Sequence, residues 1–450
     1  MKKLILISIC IQIVCNSCNE FLDVKPDKQL ATPSTLADIE AILNRVDQLN
    51  MGVVPDVLEF SGDNYFLPYD DYQAISVVEF RQMYLWESEP VYSSNWVGGY
   101  TAIFYANTAL DELKKIKPSD NEEKSKINEL EGRAHFFRGY YFLKLVQAFA
   151  SSYSKENFDE PGIVLRLNSN VNELSKRSTV KASYDQAIED LSISLNLLPN
   201  TSQHRTQPNK AAAFGALAQA HLSMQNYSKA GEYAQSCLEI YTDILDFNTL
   251  PVDSQYPFTR YNTDVVFYCT MGSSPIPPRL KINKDLLKLY SDDDLRRKMY
   301  FAQLSEDEYN FKGNYAQNNS GFFGGITVGD MILIVAETDA RDSDFLGAKR
   351  SLERLLVKRY KTGTAPLLAE IDNTEVLEFI LNERRKEMAF KGYRWQDLRR
   401  LSRDAIFSKE LIREFNGKIA ARLSSDQLFD YAHLIPLSVM EKVEFEQNNN

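Results

Sequence analysis

The stretch 382–400, NERRKEMAFKGYRWQDLRR, constrains the fold of this 450-residue chain more than any other run of side chains. Val376, Leu377, Ile380, Leu381 and Met388 recur at helical spacing, and Arg384 and Glu387 fall inside the same apolar arc. Opposite charges at i and i+3 on a buried face persist only when hydrogen-bonded and neutralised, because an unpaired charge is costly to desolvate. The expectation is therefore a structural Arg384–Glu387 pair rather than a catalytic carboxylate. Gly392 is placed to end this helix in a left-handed conformation. Tyr393 and Trp395 then return large apolar area to it before Leu398 and Leu401 resume the helical rhythm.

Helical periodicity extends well beyond this stretch. Leu130 to Phe149 is apolar nearly all round, which predicts a helix packed on more than one side, and His135 within it reads as a satisfied core residue. An internal repeat follows. Phe214, Leu217, Ala218, Tyr227, Ala230, Ala234 and Cys237 have the relative spacing of Ile332, Val335, Ala336, Phe345, Ala348, Leu352 and Leu355. Both sets fit the tetratricopeptide helix-turn-helix pattern, in which small residues let two antiparallel helices approach closely. A third copy keeps its second helix in Tyr184, Ala187 and Leu191, with Pro199 closing it. Its first helix is the aromatic one ending near Phe149, separated by an inserted loop over 150–181. The predicted fold is mainly α, with interrupted tetratricopeptide-like helix pairs forming a curved spine, long aromatic-rich loops and minor β structure.

The loops carry the candidate site. Between Asp56 and Tyr92 nine rings crowd a segment without helical period: Phe60, Tyr65, Phe66, Tyr69, Tyr72, Phe80, Tyr84, Trp86 and Tyr92. Half of them are expected to pack the loop down; the rest fit a platform for a sugar or peptide, since ring faces stack on carbohydrate C–H faces while Asp63, Asn64, Asp70 and Asp71 bond hydroxyls. Trp86 is the first choice for stacking. A second loop-rich region, 243–325, contributes Tyr256, Phe258, Tyr309, Phe311, Tyr315, Phe322 and Phe323, which are expected to complete the face. The expected ligand-binding set is Trp86, Tyr69, Tyr72, Tyr65, Asp63, Asn64, Tyr92, Tyr309 and Phe322.

A formal charge of −11 argues against a nucleic-acid surface, which needs a basic excess. No Gly-rich phosphate loop, HExxH, serine elbow or paired cysteine nucleophile occurs in the sequence, so no enzyme, metal or cofactor is expected; a secreted glycosidase is the unsupported alternative. At the N-terminus Lys2 and Lys3 precede an apolar run from Leu4 to Val14, too short for a permanent span, and Ser17 precedes Cys18. Residues 1–17 thus look like a lipoprotein export signal, with Cys18 acylated, by palmitate for example, although Cys15 stands where that pattern has leucine. A secreted protein cut nearby is the alternative. Cys237 and Cys269 remain, and are expected to be free and buried.

Several of these segments together resemble the SusD/RagB family. The C-terminal signature is matched by Glu383, Arg384, Arg385, Phe390, Gly392, Arg394, Trp395, Asp397, Leu398 and Arg399; the start of the mature chain by Cys18, Phe21, Leu22, Asp23 and Pro26. Trp96, Tyr100, Ile103 and Asn107 match a helix motif, Asp294 and Arg296 a later one, and His433, Leu434, Ile435 and Pro436 echo the ending, without its usual glycine-tyrosine terminus; the resemblance implies that Trp96 and Trp395 are core anchors, leaving Trp86 unclaimed. The resemblance implies a lipid-anchored, surface-exposed outer-membrane subunit that binds a nutrient oligosaccharide and delivers it to a SusC-like TonB-dependent transporter. It also implies halves over 18–242 and 243–450 packed as one compact unit. A peptide-binding RagB-like subunit and a tetratricopeptide-type protein scaffold are the alternatives.

Overall fold

The computed structural model describes residues 33–404, 406–443 and 445–449; the expectations for Cys18, Phe21 and Leu22 lie outside the described residues. Helix α1, Leu36–Leu43, opens on a capping box in which Thr35 and Asp38 satisfy each other's backbone N–H groups. The short α2, Val57–Phe60, and α3, Val78–Tyr84, sit in the first aromatic segment. Next come α4, Ser94–Leu113, and α5, Asn121–Phe149, which Asp120 caps by accepting from the Glu123 N–H. Almost every residue of α5 from Leu130 onward is buried, because α4 and α6, Val180–Leu197, cover it from different sides. His135 donates or accepts at Asp190 through Nδ1 at 2.7 Å, and Arg138 grips the same carboxylate.

The repeat marks two helix pairs. One is α7, Lys210–Ser223, with α8, Tyr227–Ile240; after the short α9, Leu295–Tyr300, the other is α10, Val328–Arg341, with α11, Phe345–Leu356. Ala218, Ala230, Ala234 and Cys237 in the first pair and Ala336, Ala348 and Leu355 in the second are sealed from solvent, as close antiparallel packing requires. Each helix of the series α5, α6, α7, α8, α10 and α11 packs on the one before it. Among the described residues, strand structure is confined to two-stranded pieces. Tyr65–Phe66 pairs with Lys281–Ile282, Phe301–Gln303 with Tyr309–Phe311, and Leu411–Phe415 with Lys418–Leu423 around Asn416 and Gly417, both at positive φ. The short strand read in 264–269 is Val265–Phe267, paired with Ile326–Thr327. Cys237 and Cys269 are buried and free.

Helices α12, Val376–Glu387, and α13, Arg394–Leu401, contain the charged stretch. Arg384 and Glu387 are both buried and neutralised, but not by each other. Arg384 reaches Asp330 on α10 at 2.7 Å and Asp397 on α13 at 2.8 Å. Glu387 faces the other way, to Arg359 at 2.9 Å and Arg296 at 3.3 Å. The expected local pair is replaced because each side chain has a better-aligned partner on a neighbouring element. The helix ends at Glu387, earlier than the glycine; Phe390 and Gly392 both take positive φ, at 59° and 83°, and build the turn into α13. Their N–H groups donate to the buried Glu59 carboxyl of α2, at 3.1 and 2.9 Å, fastening the first aromatic segment onto this turn.

Burial would raise the Glu387 carboxyl, but Arg359, Lys391 and Arg296 overcome it and hold the group at about 2, against an ordinary 4.5. Its folded value is depressed, so it stabilises the fold above pH 4.5, and that contribution, about 3 kcal/mol, is lost as pH falls toward 2. Glu387→Gln is expected to flatten that part of the stability–pH curve measured by urea unfolding. Arg384→Met, which leaves buried Asp330 without a cation and Asp397 with Arg400 alone, is expected to cost about 3 kcal/mol or more at neutral pH in the same assay.

Candidate functional site

The two aromatic segments do meet. Phe60 lies 5.6 Å from Phe322, and Phe322 packs in turn on Phe311 at 5.2 Å and Phe390 at 6.0 Å. In the other direction Tyr65 touches Phe60 and Tyr84, Tyr84 touches Tyr72, and Tyr72 lies 4.7 Å from Phe415 of the 411–423 hairpin. The rings thus form a continuous series whose middle is core and whose two ends reach the surface.

That division corrects several sequence expectations. Trp86 is only 7% exposed; its Nε1–H donates to the Ser61 carbonyl at 2.9 Å and the Arg413 guanidinium lies 4.8 Å from its ring. Arg413 donates to the carbonyls of Gly62, Tyr65 and Tyr84 and also lies over the rings of Tyr65 and Tyr84, so one cation occupies the space a ligand would need. Tyr65 is fully buried with its hydroxyl on the Phe60 carbonyl. Asn64 is spent on Glu59 and Arg385. Asp63 is held by Arg385, Arg394 and Lys409; burial would raise its carboxyl, and these three cations keep it well below the usual range. Phe258, Tyr315 and Phe323 are core residues as well. Trp96 and Trp395 are buried, as expected.

The accessible rings lie at the two ends. Tyr69, 43% exposed, and the half-buried Tyr72 both pack on Phe415, making a ledge beside the exposed Asp70. Tyr92 is exposed over Phe80, 5.2 Å away. Phe415 was missed in the sequence, although Asn416-Gly417 between LIREF and KIAARL is a strong hairpin signal.

At the other end a groove of about 320 Å³ opens between the segments 253–255, 277–278 and 302–322. The half-buried Phe311 supplies its aromatic face, with Tyr309 on the same strand; Phe322, expected among the ligand contacts, is only 2% exposed and backs that face from the core. Polar groups rim it: Gln255, Asn310, Asn319 and Lys312. Lys312 donates to the carbonyls of Val252 and Ser254, each at 3.0 Å, and so shapes the loop, while Tyr256 donates to Asn319 at 3.0 Å. The Oδ1 atom of Asn310 is buried at the groove and has no partner among the described residues, an acceptor that a ligand hydroxyl would satisfy. One carboxylate, Asp253, lines the groove, so the paired acids of a glycosidase are not assembled there. A larger cavity of about 510 Å³ beside α11 is lined by Leu346, Arg350, Val357 and Leu367 and presents no aromatic ring.

Residues 20–222 match a SusD-like family model described as starch-binding and associating with the outer membrane, and residues 299–434 match the model of the SusD family. The chain is 23% identical to SusD-like protein P2 of Formosa agariphila, with 69% of this chain and 71% of the relative covered. Its fold is similar to that of a SusD superfamily protein from Bacteroides thetaiotaomicron, with a TM-score of 0.72, 18% identity and coverage of 92% of this chain and 100% of the other. It is also similar to a SusD-like carbohydrate binding protein from Bacteroides vulgatus, with a TM-score of 0.61, 17% identity and 85% of each chain covered.

Trp86→Ala is expected to cost about 3–5 kcal/mol of stability by opening a cavity around Arg413. Tyr69→Ala is expected to leave stability within about 0.5 kcal/mol, as for an exposed position. Chemical denaturation of the two variants checks the assignment of core and ledge.

Proposed function

The chain belongs to the SusD/RagB family, and from that premise we propose that it is a surface-exposed nutrient-binding lipoprotein that captures an oligosaccharide and passes it to a SusC-like TonB-dependent transporter. The observation that carries this reading is the groove: a ring face from Phe311, amide groups at its rim, and the unpartnered Asn310 carbonyl. Sugars need both elements, a ring for the C–H face and acceptors for the hydroxyls. The Tyr69, Tyr72 and Phe415 ledge offers a second stacking surface at the other end of the ring series.

The groove is open and shallow enough to be wet, which suits modest affinity and release into a pore. The helix pairs give the rigid surface that a lid over a transporter requires. No helix among the described residues is long and apolar enough to cross a membrane, and the membrane link in this reading is the lipid on Cys18.

Isothermal titration with a panel of oligosaccharides and peptides tests the ligand class. Oligosaccharide binding that weakens roughly fivefold, about 1 kcal/mol, in Tyr69→Ala and in Asn310→Ala is the expected result. Binding of peptides alone would move the protein to the RagB-like reading. Cys18→Ala is expected to shift the protein from the membrane fraction to the soluble fraction on cell fractionation.

A further inference from the structure

The cluster around Asp63 is out of balance. Arg394 Nε donates to Asp63 Oδ1 at 2.6 Å, Arg394 Nη2 lies 3.2 Å and Arg385 Nη2 3.4 Å from Oδ2, and Lys409 Nζ also closes on Oδ2. Among the described residues, Asp63 is the one carboxylate in contact with any of these three cations. Asp397 and Asp285 act on Arg394 and Arg385 only from a distance, and the nearby Glu59 supplies only part of the missing charge at neutral pH. Burial pushes its carboxyl up to about 7, and its oxygens are taken by the N–H groups of Phe390 and Gly392. The cations therefore repel one another with one anion between them. Burial first, then Arg394, brings the Lys409 ammonium down to about 8.

Donors are left over. Arg385 spends Nε and Nη2, Arg394 Nε and Nη2, so Nη1 of each has no acceptor among the described residues, and neither atom is sealed from solvent. Lys409 bonds a single oxygen and its side chain is 39% exposed. Asp63 stands just before the strand Tyr65–Phe66, which is joined through Lys281–Ile282 to the groove strand Tyr309–Phe311. Lys409 stands just before the hairpin whose Phe415 packs on Tyr69 and Tyr72. Excess positive charge thus stands beside a strand that leads to the groove and beside the hairpin that carries the ledge, in a chain whose overall charge is −11.

We propose that Arg385, Arg394 and Lys409, arranged around Asp63, form a subsite for an anionic substituent, a carboxylate or a sulfate ester, carried by the captured oligosaccharide. This rests on the oligosaccharide reading above and narrows it to acidic glycans. Guanidinium groups with unpaired N–H donors, here on side chains 12% exposed, match planar or tetrahedral oxyanions, and a charge-assisted hydrogen bond outweighs a neutral one.

Two measurements on the full chain test the subsite. Inorganic sulfate, titrated against chloride at matched ionic strength, is expected to raise the Tm of the wild type more than that of Lys409→Gln, with Lys409→Arg restoring the difference. Uronate-bearing and sulfated oligosaccharides, each set against a neutral one of equal length, are expected to bind the wild type about tenfold more tightly, a ratio that collapses toward one in Lys409→Gln. The two acidic series distinguish which oxyanion is taken. Neutral oligosaccharides binding as tightly as acidic ones would overturn the subsite and leave oligosaccharide capture standing. Binding of no oligosaccharide, neutral or acidic, would overturn the capture reading and this proposal with it.

Discussion

The buried charge network around α12 is the constraint on which the remainder of the molecule depends. One arm runs from Asp330 through Arg384, Asp397 and Arg400 to Glu337, tying the repeat helix α10 to α13. The other joins Asp294, Arg296, Glu383, Lys386, Glu387, Arg359 and Asp264, and so fastens the loop-rich region to the same helix. Breaking such a pair is expensive, because the group left behind is a desolvated charge. A network with several partners per ion also fixes geometry, since each guanidinium satisfies two or three acceptors only in one arrangement. Long loops with little secondary structure acquire a defined shape by being bonded to it.

Glu59 extends that logic to the first aromatic segment. It accepts from two amides of the Phe390–Gly392 turn, and that turn exists because two left-handed residues, one on either side of Lys391, fit there; a Cβ on Gly392 would meet the Met271 sulfur at 3.2 Å. The chain from sequence to site is therefore short. A charged helix pair sets a strained turn, the turn holds a carboxyl, and the carboxyl positions the rings whose outer members reach the surface.

Much of this was legible beforehand. Small residues at repeat spacing located the pairs 210–240 and 328–356, and charges inside an apolar arc announced that Arg384 and Glu387 are buried and neutralised. What could not be read was partnership across the fold. Arg384 and Glu387 looked like mates at i and i+3, yet Asp330 and Arg359, distant in sequence, have the better geometry. Trp86 looked unclaimed for the same reason: the cation that fills the space beside it, Arg413, comes from a hairpin far along the chain. In loops without periodicity nothing local separates a ring that packs inward from one that faces out. Tyr69 and Trp86 differ only in what the distant chain brings against them, Phe415 in one case and Arg413 in the other.

The placement of the three tryptophans has a spectroscopic consequence. Trp86, Trp96 and Trp395 are 7%, 5% and 0% exposed, and none lines the groove that Phe311 and Phe322 form. Indole emission from this protein is therefore an internal gauge of the body's integrity. Filling of the groove leaves its wavelength where it was, and a red shift signals loosening of the core, so occupancy has to be followed by a probe on the ligand or by heat.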